Sequence, residues 1–195
     1  RDERYRAMFP IGPGRPYLRP LTDPEMLGVF LKSLGAAYSK RGRDVEALSF
    51  YEEAIRLAPG LPEAHYNAGT SLQRLGRFAE ATGRYRSALS LDADLAPARD
   101  NLGIVLAKQG MFTEAIAEGR KAVDLEPRNA AMRANLAATC LAAGDVEGGL
   151  REFLKAVEID PKSPRSRAGL ASSYLALGRY REASREFEMA RALVR

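Results

Sequence analysis

One cysteine, one histidine and no tryptophan occur among the 195 residues. With Cys140 alone, an intramolecular disulfide is excluded. A zinc site needs three or four ligands, and no cluster of His, Cys, Asp and Glu has that spacing. A nucleophile–base pair would require His65 and Cys140 to be neighbours. Gly12-Pro13-Gly14 lacks the lysine and the following helix of a phosphate-binding loop. No enzyme, metal or cofactor is therefore expected. No run of about 18 apolar residues exists, so no helical membrane span is expected. The first residues lack the charged-then-apolar order of a signal peptide, and the chain opens on Arg1 rather than Met. It reads as a fragment or a processed form, and the compartment stays open. The net charge of +5 is spread through mixed pairs such as Arg151-Glu152 and Arg185-Glu186. That pattern fits a solvated surface, and no nucleic-acid partner is expected.

What the chain does have is a period of 34 residues. Gly42, Gly76, Gly110, Gly144 and Gly178 form one column, and Ala54, Ala88, Ala122, Ala156 and Ala190 another. A third runs Ala47, Ala81, Ala115, Gly149, Ala183, and a fourth Gly35, Gly69, Gly103, Ala137, Ala171. A strict period of this length marks a solenoid, in which each unit buries its apolar face only against its neighbours. The unit 96–129 shows how. An apolar-periodic stretch from Pro97 to Lys108 precedes Gly110, and a second runs from Thr113 to Leu125. Glycine accepts the left-handed backbone that closes a helix. Pro127 follows the second helix, as Pro59 and Pro161 do in their units, whereas Ala93 predicts a weaker stop. Gly103 and Ala115 are expected where two antiparallel helices cross too closely for larger side chains, with Leu102 and Leu106 on the flanks.

The residues Leu34, Gly35, Tyr38, Gly42, Ala47, Tyr51, Ala54 and Pro59 resemble the tetratricopeptide repeat pattern. Leu170, Ala171, Tyr174, Gly178, Ala183, Phe187 and Ala190 repeat it in the last unit. The resemblance implies an all-α solenoid of five antiparallel helix pairs forming a right-handed superhelix with a concave groove. Units fall near 28–61, 62–95, 96–129, 130–163 and 164–195, within a solenoid of 24–195. Two departures stand out. Leu31, His65, Arg99, Arg133 and Arg167 occupy the column where the family holds a large aromatic. Gly119 replaces the second-helix aromatic present as Tyr51, Tyr85, Phe153 and Phe187, which predicts a soft third unit because mid-helix glycine costs about 1 kcal/mol.

The ends differ. Ser184 and Arg191 replace apolar residues of earlier units and suggest a polar outer face where the array ends. Met26, Leu27 and Phe30 lead the first helix with no preceding unit to cover them. Ahead lies a proline-rich arm, 1–23, with Asp23 and Pro24 expected to cap the first helix. The arm either folds back on the first unit or is a linker.

In this family the groove is lined by the column Ser33, Asn67, Asn101, Asn135 and Gly169. The resemblance therefore places the carboxamides of Asn67, Asn101 and Asn135 along the inner surface, similar to the repeat region of O-linked N-acetylglucosamine transferase. A carboxamide both donates and accepts, so it can grip a peptide backbone; a local bond to the helix is the alternative. Lys32, Tyr66, Thr70, Gln73, Asp100, Ile104 and Ser172 are further inner-face candidates. Lys32, Lys40 and Arg41 make the amino-terminal mouth basic, and Arg165 and Arg167 add charge at the far end, so an acidic peptide is one option. The two-carboxylate clamp of chaperone-binding relatives is broken by Ala36, Pro97 and Asn101. The leading expectation is a protein–protein interaction scaffold that binds an extended peptide. The alternative is a substrate-recognition region of a larger enzyme whose catalytic domain is absent from this chain.

Overall fold

In the computed structural model the described residues are 23–194, the side chain of Asp23 excepted. The expected arm lies outside them. Ten helices follow one another with no strand among the described residues. They pair as α1 (Asp23–Ser39) with α2 (Asp44–Leu57), α3 (Pro62–Arg74) with α4 (Phe78–Leu91), and α5 (Ala96–Lys108) with α6 (Phe112–Leu125). The last pairs are α7 (Ala130–Ala142) with α8 (Val146–Ile159), and α9 (Pro164–Ala176) with α10 (Tyr180–Ala192). The fold is the all-α solenoid of five hairpins.

Each hairpin turns on its glycine. Gly42, Gly76, Gly110, Gly144 and Gly178 have φ between 71° and 86°, the left-handed region that glycine enters without steric cost. Second helices end one residue before Ala58, Asp92, Glu126 and Asp160. The weak stop expected at Ala93 does not occur. The Asp92 carboxylate accepts from the Asp94 amide at 3.0 Å, an Asx turn that ends α4 without proline. Asp160 makes the same bond to Lys162 at 3.1 Å beside Pro161.

The small columns mark close approach. A Cβ on Gly103 would stand 3.0 Å from the Ala115 carbonyl oxygen, and one on Gly69 would stand 2.7 Å from the Tyr85 ring. The missing ring at Gly119 leaves no void in the stack. The glycine is buried, and a Cβ there would meet Leu136 at 3.0 Å. Leu136 of the next unit reaches into the space that a ring takes elsewhere, in one cluster with Ala122, Val123, Met132 and Cys140. Cys140 is a core residue.

First helices pack on their hairpin partners, the preceding second helix and one another, whereas second helices meet each other through side chains, as in the Arg86–Glu114 and Arg84–Glu52 ion pairs. The row α1, α3, α5, α7, α9 is thus the tighter one, and the stack curves with these helices inside. At the far end Ser184 and Arg191 are exposed as expected, but Tyr180 and Phe187 are exposed beside them, so that outer face is mixed rather than polar.

Candidate functional site on the inner row of helices

The column that lacks the family aromatic is a set of built ion pairs. Arg99 donates through Nε to the Ala93 carbonyl at 3.0 Å and through Nη1 to Glu118 at 2.9 Å. Arg133 repeats this with Pro127 at 2.9 Å and Glu152 at 2.7 Å. Arg167 repeats it with Pro161 at 2.8 Å and Glu186 at 2.7 Å. Lys121 and Lys155 back the first two glutamates at 2.7 and 3.0 Å. The guanidinium does with directed bonds what an aromatic does by bulk: it ties the inter-unit loop to both helices. Arg167 is therefore part of the framework and not a groove charge. His65 keeps the loop contact, Nε2 to the Pro59 carbonyl at 3.2 Å, but its Nδ1 is buried without a partner. Burial pushes its pKa below the ordinary histidine value.

The groove candidates fall into two clusters. In the first, the buried Tyr85 hydroxyl donates to Gln73 Oε1 at 2.7 Å and lies 3.4 Å from Thr70 Oγ1. Thr70 in turn donates to the Tyr66 carbonyl at 3.1 Å. The Tyr66 and Tyr85 rings are 6.0 Å apart, and Asn101 Nδ2 donates to the Tyr66 hydroxyl at 3.4 Å. Burial raises the Tyr85 pKa, so its hydroxyl stays a donor. In the second, Asn135 Nδ2 donates to Asp100 Oδ2 at 2.7 Å, while its Oδ1 accepts from Arg165 Nη2 at 2.6 Å. Burial lifts the Asp100 carboxyl to about 6, although Asn135 and Arg165 pull it back.

Asn67 joins neither cluster and its partly buried carboxamide is unpaired among the described residues. Lys32 approaches Glu63 at 3.9 Å. Ile104 is a half-buried apolar residue, and the Ser172 hydroxyl donates to its own helix at the Ala168 carbonyl, 3.0 Å away. Gly169 carries no side chain in the asparagine column because the Phe153 ring occupies that space. Two contributors were read only in part. Tyr85 sits in a core aromatic column, and only its hydroxyl, absent from Phe153 and Phe187, signalled an inner-face role. Arg165 carried no signal beyond its charge.

With that geometry in hand, the family follows. Models of the tetratricopeptide repeat match residues 31–63, 66–129, 101–164 and 164–189. The chain belongs to the tetratricopeptide repeat family, whose members are typically non-enzymatic interaction scaffolds. Among solved structures it is similar to MamA from Desulfovibrio magneticus RS-1, with 22% identity, TM-score 0.80, and coverage of 89% of this chain and 97% of that one. It is also similar to Pseudomonas aeruginosa pilF at 21% identity, TM-score 0.77, covering 88% and 78%. YrrB, described as a TPR protein with an unusual peptide-binding site, shares 20% identity at TM-score 0.70, covering 85% and 86%. No curated protein sequence matches this chain. Among the described residues no helix is long and apolar enough to cross a membrane, and no group of three or more His, Cys, Asp and Glu is placed to hold a metal.

Proposed function

We propose that this scaffold takes an extended, acidic peptide along the inner row of helices. The observation that carries this is the unpaired carboxamide of Asn67 beside the two polar clusters, which together line α3, α5, α7 and α9. An amide that donates and accepts suits the alternating groups of a peptide backbone. The acid preference rests on Lys40 and Lys108, exposed at the ends of α1 and α5 and without an ion pair among the described residues. Binding without catalysis fits the two reactive side chains: the Cys140 thiol is buried, with its pKa raised, and His65 is tied to a loop carbonyl.

A displayed library of random decapeptides, selected on the immobilised chain, tests this. Selected peptides should be rich in Asp and Glu. They should bind at least about tenfold more weakly to the Asn67→Ala, Asn101→Ala, Asn135→Ala triple variant. Binders that ignore the triple substitution, at unchanged melting temperature, would overturn the groove reading.

A further inference from the structure

Four arginines stand near the start of the third to fifth first helices, and three of them are spent. Arg99, Arg133 and Arg167 are each neutralised by a glutamate of their own hairpin. Arg165 is exposed, and the side chain it touches is a neutral one, the Asn135 amide. A guanidinium has five N–H donors in a planar fork, and this contact uses one side of it. The rest of the fork has no hydrogen-bond or ion-pair partner among the described residues, and the carboxyl that acts on its charge, Asp100, does so from behind Asn135.

The orientation of Asn135 is not free. Asp100 presents a carboxylate, which only accepts, so the Nδ2 end of the amide must face it. The Oδ1 end then necessarily faces Arg165. With the amide reversed, N–H would meet N–H at one end and oxygen would meet oxygen at the other. Asp100 on α5, Asn135 on α7 and Arg165 on α9 thus form a directed relay across three successive units.

We infer that Arg165 is the carboxylate-recognising residue of the groove and that Asp100, acting through Asn135, is its positioning residue. This rests on the groove reading above and narrows its ligand to one carrying an acidic side chain opposite α9. The relay depends on an ionised Asp100. The groups that act on that carboxyl are Asn135 on α7, Arg165 on α9 and Glu126 at the end of α6, while from α3 Tyr66 engages the neighbouring Asn101. Its value of about 6 puts the change inside an accessible range: once protonated, the carboxyl offers a donor of its own and no longer dictates which way the amide points.

The test uses the full chain and two fluorescein-labelled decapeptides, one alternating Glu and Ala and one alternating Gln and Ala. At about pH 7.5, Arg165→Gln should weaken the acidic peptide about tenfold and leave the neutral one unchanged, and Arg165→Lys should recover only part of the loss. Asp100→Asn should weaken the acidic peptide selectively. The Asn135 side-chain amide resonances should show an inflection near pH 6 in the wild-type chain, and Asp100→Asn should abolish it. An acidic peptide indifferent to Arg165→Gln, an equal loss on both peptides, or tighter binding by Asp100→Asn would each overturn the inference and leave the groove reading standing. Failure of both peptides to bind the wild-type chain, even at about millimolar concentration, would overturn the two together.

Discussion

Arg133 Nη1 donates to Glu152 Oε2 at 2.7 Å across the α7–α8 hairpin, with the two side chains only 13% and 18% exposed. At that burial the pair has given up most of its water, so removing Arg133 leaves Glu152 with only the exposed Lys155 as its counter-ion. Arg133→Leu should lower stability by about 1–3 kcal/mol, the loss of the bond to the Pro127 carbonyl included. Adding Glu152→Leu should return much of it, because an apolar pair needs no compensation. Chemical denaturation of the two variants decides; a double variant no better than the single would contradict the buried-pair account.

His65 is the one polar member of that column without a glutamate 19 residues on, where Arg84 stands instead. His65→Arg alone therefore brings two guanidiniums together. His65→Arg with Arg84→Glu rebuilds the clamp of the next three units and removes the orphaned Nδ1. The double variant should be more stable than the single by about 1 kcal/mol. Thermal melts in which the single variant equals or exceeds the double would refute it.

Burial raises the folded pKa of Asp100 from 3.8 to about 6, so ionising it opposes folding. The sign follows by linkage. Between about pH 4 and 6 the folded chain holds a proton there that the unfolded chain has lost, so this group's contribution to stability falls as pH rises. Asp100→Asn should stabilise the chain at about pH 7.5 by on the order of 2 kcal/mol, and the advantage should vanish near pH 4. A stability difference that does not change with pH would rule out this origin.

Gly119 faces Leu136 rather than an empty slot. Restoring the aromatic of the other units by Gly119→Phe should therefore cost about 1–3 kcal/mol through overpacking. A Gly119→Phe chain that melts above wild type would show that the space is open after all.

The fold was legible because glycine, alanine and proline each answer to a local demand: a left-handed turn, a close crossing or a helix end. Gly103 and Ala115 cross where their size predicts. The misreadings at Ala93 and Gly119 share one cause. Another residue, Asp92 in one case and Leu136 in the other, performs the missing function from a different column. The groove was less legible because hydrogen bonds run between columns. Position placed Asn135 on the inner face, but position alone does not tell that its amide is already held at both ends. The arginine column looked like a loss of aromatic packing until the glutamates 19 residues on were seen opposite it.

Asn135 is bonded to the unit before it and to the unit after it, so the inner row is tethered side chain to side chain. Such tethers have a length. Straightening the stack would stretch them and tighter coiling would crowd them, which gives this half of the molecule a preferred bend, much as a string sets the rest shape of a bow. A ligand that takes up the open side of the Arg165 fork leaves both tethers in place, and the last hairpin, packed through Phe153 and Leu170, keeps its bend.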